Sequence, residues 1–416
     1  MSDKKKILKQ EDRPKEWGIT EDKLREVIEN TTELPMMYLA LGTDPKVNHP
    51  FNLYADIKNQ AKFLGETILE IQSKVAEIAE EIVKRKIEKI IGIGLGTSQF
   101  VATVAVPVFW KYANLEAIDM DSTEFIVNDR VVNEKTAIIA FSGSGTTTDT
   151  INATKKAKEL GAFTISVVSV DESPLSKLTD MKLVVCAETY DTGGSDTFHY
   201  TTRLAAMIYL AVELGNRRCP KKFNFKNIEY ELKQISKKMA EIFEKISTRC
   251  WSIAKHHKDV RSIIVVGSGP NYGTAEEIAL KFEEMAHIPT SPMCPTRHIH
   301  GALGLTNEKI LTIILAPLKD PSMVWLKQIR DATVYLKSPS VGFVSESDTE
   351  IADVMDYVVR IPTDDPVLFT LLAILPGQLL PYFFAVEQGN INPDCQRSNI
   401  PKYAKIWTKL FPPGTH

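Results

Sequence analysis

The hydrophobic pattern of the chain alternates between two kinds of segment. Short continuous runs rich in β-branched residues, such as those at 90–93, 137–141 and 165–168, are bounded by glycine, serine or proline. Such runs are typical of strands that are buried on both faces of a parallel sheet. The stretches between them, such as Asp149 to Leu160 and Thr274 to Ala286, have the amphipathic pattern of helices. Strands that alternate with helices predict an α/β fold with a doubly wound parallel sheet.

The same segments occur twice along the chain. Three pairs keep an offset of 173 or 174 residues and two further pairs lie between them: Ile90–Gly96 with Ile263–Gly269, Met181–Val185 with Met355–Val359, Ala211–Asn216 with Ala385–Asn390, Ala137–Phe141 with Leu311–Leu315, and Ile165–Val168 with Val341–Val344. We therefore predict a duplication, with two tandem doubly wound domains. The predicted units are an N-terminal extension, a first domain, a second domain and a C-terminal tail, at 1–50, 51–220, 221–390 and 391–416. Each domain begins with a long helix, at 51–85 and 225–257.

A loop rich in glycine and hydroxyl groups follows the apolar run at 137–141. Six of the nine residues at 142–150 carry a hydroxyl, and a predicted helix begins there. Glycines let the backbone approach an anion, and a helix N-terminus offers free N–H groups, so the loop predicts a phosphate-monoester site. The structural alternative is a polar turn with a helix cap. The residues predicted to contact the phosphate are Ser142, Gly143, Ser144 and Thr147 of this loop, with Thr97 and Ser98 after the first strand.

The second half lacks this loop and carries different groups. Its matching strand runs into Ala316 to Lys319, without hydroxyls, whereas a helical segment holds Glu283 and Glu284 and a later loop holds His298 and His300. A carboxylate and an imidazole near a phosphate site indicate proton transfer near neutral pH. The alternative is that these four are surface residues. The two histidines lack a third ligand at a suitable spacing, so we predict no metal site.

Composition and charge exclude several classes of protein. The chain is 44% hydrophobic and 25% charged with a formal net charge of −3, which argues against disorder and against a nucleic-acid partner. Its five cysteines are far apart, with no CxxC pair, so neither disulfides nor a zinc site is predicted. The uncharged run at 367–386 is long enough to span a bilayer, but Pro376 and Pro381 interrupt it and the repeat places it in a soluble domain. The N-terminus lacks the apolar core of a signal peptide. We expect no membrane partner and a cytoplasmic location.

These motifs together resemble the double SIS (sugar isomerase) family, which includes the isomerase half of glucosamine-6-phosphate synthase and related deaminases and deglycases. The resemblance covers about residues 50–405. It rests on the segments Gly96–Ser98, Ser142–Thr147, Lys281–Leu305 and Asn399–Lys402. It implies that the first-half loops bind the phosphate and that His300 assists ring opening. Glu284 would move a proton between adjacent carbons, and Lys402 of the tail would close over the open-chain sugar.

The resemblance implies a phosphosugar aldose–ketose isomerase, or an aminosugar-phosphate deaminase or deglycase, that acts through an enediol or enolamine. The expected partner is a small sugar phosphate, and no cofactor is implied. Four residues differ from the family pattern, namely Gly143, Phe198, Arg297 and Ala302. They keep open the alternative of a non-catalytic sugar-phosphate sensor or regulator. The chain also lacks the synthase's glutaminase segment, so glutamine-dependent amination is not expected.

Two apolar runs bear on assembly. The run from Leu368 to Phe384 has more apolar surface than one helix is expected to bury against its own sheet, and the matching run from Ala205 to Val212 is also apolar. Such surface is usually hidden in a subunit interface. Relatives in the family are dimers in which the neighbouring subunit supplies the active-site histidine. We therefore predict a homodimer in which His300 of one chain completes the site that holds Glu284 of the other.

Overall fold

The computed structural model describes residues 48–128, 132–186, 195–389 and 391–394. The first half contains, in chain order, α1 (Asn52–Glu70), α2 (Gln72–Lys84), β1 (Lys89–Gly94), α3 (Thr97–Val108), β2 (Glu116–Asp121), α4 (Ser122–Val127), β3 (Thr136–Phe141), α5 (Thr148–Glu159), β4 (Phe163–Val168), α6 (Pro174–Leu178), β5 (Met181–Val184) and α7 (Phe198–Arg218). The second contains α8 (Phe225–His257), β6 (Ser262–Val266), α9 (Pro270–Lys281), β7 (Thr290–Met293), α10 (Pro295–His300), β8 (Ile310–Ala316), α11 (Met323–Tyr335), β9 (Ser340–Ser345), β10 (Tyr357–Ile361) and α12 (Pro366–Gln388).

Each half forms one five-stranded sheet, and all strand pairs in both sheets are parallel. The order in the first sheet is β2-β1-β3-β4-β5, and the second repeats it as β7-β6-β8-β9-β10. This is a doubly wound order, in which ligands bind at the carboxyl ends of the strands. The prediction of an α/β fold with parallel sheets is confirmed. The boundaries of the two domains stay a prediction, because one hydrophobic cluster includes residues of both sheets.

The repeat extends to backbone detail. Gly96 and Gly269 precede α3 and α9 with φ values of +52° and +51°, which favour glycine. Both helices continue into one turn of π-helix, at Phe109–Ala113 and Phe282–Ala286. α3 and α9 cross closely at Gly273, where a Cβ would lie 2.7 Å from Val104 Cγ2. This crossing joins the turn that follows β1 of the first sheet to α9 of the second half.

Helix α12 is the centre of the molecule. Its residues Pro366 to Ala385 are all buried, and it packs against α8, α9, α1 and α7. It is long and apolar enough to cross a bilayer, but it is enclosed by the chain. The expectation that the run Leu368–Phe384 carries surplus apolar surface was wrong, because helices from both halves surround it. The run Ala205–Val212 is likewise buried within the chain. Apolar surface on these runs therefore gives no ground for a dimer.

Candidate functional site

The loop between β3 and α5 has the position that the sequence predicts. Gly145 has a φ of +67°, and a Cβ there would lie 2.0 Å from Ser173 Oγ, so this turn accepts only glycine. The N–H of Ser169, which follows the neighbouring strand, donates to the Gly143 carbonyl at 2.9 Å. The backbone of the loop is therefore fixed by the sheet and by the turn after β4.

The hydroxyl groups of this loop are paired with one another. Ser142 Oγ lies 2.9 Å from Thr147 Oγ1 and accepts a hydrogen bond from the Gly145 N–H at 3.0 Å. Ser144 Oγ lies 2.8 Å from Thr146 Oγ1. The pairs stand at the N-terminus of α5, where the first N–H groups have no partner within the helix. An anion at this end would accept hydrogen bonds from both the backbone and the hydroxyls.

Glu284 lies in the π-helical turn that extends α9, a feature frequent at functional sites. Its side chain is 26% exposed, and its Oε2 accepts hydrogen bonds from Lys281 Nζ at 2.6 Å and from Ser195 Oγ at 2.7 Å. An ammonium and a hydroxyl on one oxygen stabilise the ionised carboxylate and fix its direction. The carboxylate is thus both oriented and open to solvent on one side.

Lys281 is fully buried beneath this carboxylate. Its Nζ also lies 3.2 Å from Thr97 Oγ1, 3.1 Å from Ser195 Oγ and 3.3 Å from Glu277 Oε1. Burial lowers the pKa of Lys281, but Glu277 and Glu284 outweigh burial and hold it above its usual range. Burial raises the pKa of Glu277 to about 8, although Lys281 opposes the rise. The Thr97 hydroxyl therefore belongs to this cluster, which joins the β1 turn to Glu284.

A second buried cation joins the cluster to Ser98. The Arg203 guanidinium donates through Nη1 to Ser98 Oγ at 2.8 Å, through Nη2 to Asp196, and through Nε to the His199 carbonyl at 2.8 Å. Burial raises the pKa of Asp196, but Arg203, with His199 and Lys281, outweighs burial and holds it well below its usual range. The Ser98 hydroxyl is therefore held in place by a charged pair.

The cluster is electrically balanced when Glu277 carries a proton. Lys281 and Arg203 then offset Asp196 and Glu284, so no net charge is buried. The sequence alone predicted no role for five of these residues, namely Lys281, Glu277, Asp196, Arg203 and Ser195. The available signal was the spacing of Glu277, Lys281 and Glu284, four and three residues apart, which places three charges on one helix face.

The raised pKa of Glu277 predicts a pH-dependent stability. Its folded pKa of about 8 exceeds the unfolded value, so the folded chain holds this proton more tightly. The stabilisation is complete below the unfolded pKa and is lost as pH rises through about 8. Between pH 6 and pH 9, the wild type should therefore lose at least about 1.4 kcal/mol, the equivalent of one pKa unit, more than Glu277→Gln does. Denaturant unfolding of both proteins at the two pH values measures this difference, and parallel pH dependences would contradict it.

The other predicted proton-transfer residues are placed differently. His300 is exposed at the end of α10, and none of the described residues forms a hydrogen bond with it. His298 is buried, not a surface residue: its Nε2 lies 3.3 Å from Thr306 Oγ1, and burial lowers its pKa. Lys402 and the tail segment around it lie outside the described residues. Within one chain, Glu284 is joined to the β1 turn through Lys281 and Thr97. His300 forms no hydrogen bond with Glu284 or with any other described residue.

The second sheet has a carboxylate where the first has its hydroxyl loop. Asp320 follows β8, the counterpart of β3, and is 6% exposed. Both its oxygens accept from Ser268 Oγ at 2.8 Å, and one also accepts from Ser322 Oγ at 2.7 Å and from the Ser322 N–H at 2.8 Å. Ser268 precedes Gly269, the counterpart of Gly96. An internal anion therefore joins the turn after β6 to the turn after β8.

Removal of this internal anion should leave a vacancy that an external anion can fill. Asp320→Ala leaves the hydroxyl of half-buried Ser268 and the N–H of Ser322 without this acceptor, at a cost of about 1–3 kcal/mol. Inorganic phosphate should then raise the thermal unfolding midpoint of the variant more than that of the wild type, at matched ionic strength. Asp331→Ala, at an exposed position on α11, is the control. Equal responses of Asp320→Ala and the wild type would reject the interpretation.

Comparison with known proteins gives a family for the first sheet. Residues 82–212 match the SIS domain. The match covers the sheet that carries the hydroxyl loop, and the assignment of a second SIS domain to the other half stays a prediction. Over these residues the chain is similar to the SIS family, as the sequence motifs indicate.

Similarity to known enzymes extends beyond the residues that match the SIS domain. The chain is 29% identical over 356 residues to glutamine–fructose-6-phosphate aminotransferase (isomerizing) of Thermococcus kodakarensis, and 27% identical over 393 residues to that of Pyrococcus horikoshii. These alignments cover 85% and 92% of this chain but 58% and 62% of the relatives. The chain thus spans about three-fifths of the length of these relatives.

Solved structures share the fold. The C-terminal domain of glucosamine-fructose-6-phosphate aminotransferase from Francisella tularensis superposes with a TM-score of 0.75 at 20% identity, covering 84% of this chain and 99% of that chain. Tagatose-6-phosphate ketose/aldose isomerase from Escherichia coli gives 0.72 at 17% identity, covering 84% and 98%. Glucosamine-6-phosphate deaminase from Thermotoga maritima gives 0.66 at 18% identity, covering 83% and 97%. These three structures therefore share the fold of this chain.

Proposed function

We propose that this protein is a phosphosugar aldose–ketose isomerase, or an aminosugar-phosphate deaminase or deglycase, that acts through an enediol or enolamine. One observation carries the proposal. The Glu284 carboxylate is oriented by Lys281 and Ser195 and is tied through Thr97 to the turn after β1. β1 is the neighbour of β3, so the hydroxyl loop opens at the same edge of the sheet. A phosphate site beside an oriented carboxylate suits proton transfer on a sugar phosphate.

The proposal gives each group a role. The loop at 142–147 and the N-terminus of α5 bind the phosphate, with Ser98 as a further donor. Thr97, predicted as a phosphate donor, instead helps to hold Lys281 against Glu284. His300 assists ring opening, and Lys402 closes over the open-chain sugar, as the family resemblance implies. None of these steps involves a cofactor.

The chemistry follows from one proton transfer. Glu284 accepts the proton from C2 of the open-chain aldose, and the electrons of that C–H bond form the C1–C2 double bond while O1 gains a proton. Return of a proton to C1, with loss of the proton on O2, gives the ketose. With an amino group at C2 the same transfer gives an enolamine, and return of the proton to C1 gives an imine at C2. Addition of water to that imine releases ammonia and leaves the ketose. Lys281 donates to Oε2 of the carboxylate and holds it in place for the transfer.

The relatives support the class of substrate. Three of the similar proteins have names that contain a hexose or hexosamine 6-phosphate. An open, two-sheet SIS fold and a hydroxyl loop at a helix N-terminus are the features that this chain offers to such a ligand. A cytoplasmic location and a homodimer belong to the same proposal.

A panel of hexose and aminohexose 6-phosphates, assayed for isomer and ammonia formation, tests the proposal. Turnover of at least one member is expected, with release of ammonia only from aminosugars. Absence of turnover across the panel, with tight binding of a member, would favour the second candidate, a sugar-phosphate sensor. That candidate is favoured by one observation: exposed His300 forms no hydrogen bond with Glu284 or with any other described residue of its chain.

The role of the hydroxyl loop can be tested by binding. Replacing Ser142 and Ser144 together by alanine should weaken sugar-phosphate binding by about 1–3 kcal/mol, the range for hydrogen bonds to charged groups. Binding of the unphosphorylated sugar should change little, because it lacks the group that the loop contacts. Isothermal titration calorimetry with both ligands measures the difference. An equal loss for the two ligands would remove the loop from its proposed role.

A further inference from the structure

We infer that Gln60 and Gln378 are positioning residues for the Glu284 site, acting through the carbonyl of Thr197. Both amides are fully buried in the apolar core, where an unpaired amide costs about 1–3 kcal/mol. Gln378 lies in the middle of α12, which is otherwise strongly hydrophobic, and Gln60 lies in α1. The inference rests on the proposed function of Glu284.

The two amides form one directed chain of hydrogen bonds. Gln60 Nε2 donates to Gln378 Oε1 at 2.6 Å and to the Ile57 carbonyl at 3.1 Å. Gln60 Oε1 accepts from Thr201 Oγ1 at 2.5 Å. Gln378 Nε2 donates to the Thr197 carbonyl at 3.3 Å. The chain of bonds thus joins α1 and α12 to the first turn of α7.

Thr197 is the point from which this network reaches the site. It directly precedes α7 and has a non-helical backbone, with φ −123° and ψ −79°. The two residues before it are Ser195 and Asp196. Ser195 donates a hydrogen bond to Glu284 Oε2. Asp196 accepts a hydrogen bond from Arg203, which in turn donates to Ser98. A displacement of the Thr197 carbonyl therefore moves Ser195, the partner of Glu284, together with Asp196, which positions Arg203 against the β1 turn.

A purely structural role explains the amides less well. Apolar side chains of similar volume would fill the same space in the core without the cost of burying amides, and such replacements are often neutral or stabilising. The polar pair instead fixes one backbone carbonyl at the segment that orients the proposed base. Neither glutamine forms a hydrogen bond with Glu284 or Lys281 in the described structure, so each acts through Thr197.

The test is the double variant Gln60→Met/Gln378→Met, which removes both amides and leaves neither unpaired. We expect it to fold, to show kcat reduced by about 10- to 100-fold, as a misplacement near 1 Å costs, and to keep KM within a few-fold. Its pH–rate profile should differ from that of the wild type. The control is Thr370→Val, a buried position of α12. Among the described residues, its hydroxyl bonds only the Val367 carbonyl of its own helix, and the kcat of this variant should not change.

A folded double variant with wild-type kcat and pH–rate profile would overturn the inference. If the double variant does not fold, the single variant Gln378→Met is tested by the same criteria. The crystal structures of variant and wild type give a readout without substrate: Ser195 Oγ should leave its hydrogen bond with Glu284 in the variant. If the wild type turns over no sugar phosphate, the proposed function fails. The hydrogen bond between Ser195 and Glu284 then decides the inference alone. If that bond is unchanged in the variant, the inference is rejected.

Discussion

Glu284→Gln should abolish proton transfer at the sugar while leaving substrate binding nearly intact. Glutamine keeps the shape of the side chain, and its amide oxygen can still accept from Lys281 and Ser195. It cannot accept a proton from carbon, and general-base catalysis contributes about 10²–10⁴-fold in rate. We expect turnover to fall by at least this factor. Exchange of the C1 and C2 protons in deuterium oxide, followed by proton NMR, measures the step directly.

A neighbouring carboxylate provides the matched control. Glu283 lies on the same π-helical turn but is exposed, so Glu283→Gln should retain exchange close to the wild-type rate. Binding constants for the sugar phosphate should agree among the three proteins within a few-fold, because the loop at 142–147 is unchanged. Undiminished exchange in Glu284→Gln would show that another group is the base.

The fold was predictable because its signals are local and repeated. Continuous apolar runs at 90–93 and 137–141 became buried strands of a parallel sheet, and the offset between the halves became a second sheet with the same order. The loop at 142–147 was predictable for the same reason. A strand, a glycine-rich turn and a helix N-terminus are adjacent in sequence, so their relative placement follows from local geometry.

The buried charges of the site were not predictable, because they depend on contacts between the halves. Lys281 and Thr97 are 184 positions apart and meet only where α3 and α9 cross. The role of Asp320 also depends on a contact that is distant in sequence, because its partner Ser268 lies on a different turn of the second half. The apolar run in α12 was misjudged for a related reason. Its hydrophobicity was visible in the sequence, but the number of helices that would surround it was not.

Mixing of variant chains tests whether His300 of a partner subunit completes the site that holds Glu284. Glu284 is oriented and partly exposed, whereas His300 is exposed on α10 and forms no hydrogen bond with any described residue of its chain. If His300 of the partner subunit completes the site, then Glu284→Gln and His300→Ala chains should each be inactive as pure dimers. Random mixing of the two chains makes about half of the dimers mixed, and each mixed dimer contains one intact site of two, because a two-fold interface pairs each chain with the other.

The mixed sample should therefore recover about a quarter of the wild-type activity, the share of sites with both residues intact under two-fold symmetry. The control is Glu284→Gln mixed with the double variant Glu284→Gln/His300→Ala, which forms no intact site in any combination and should stay inactive. Light scattering fixes the oligomeric state of each sample. A mixture that stays inactive although mixed dimers form would reject the shared site and leave the dimer. An active monomer would reject both the dimer and the shared site, because His300 and Glu284 would then act within one chain.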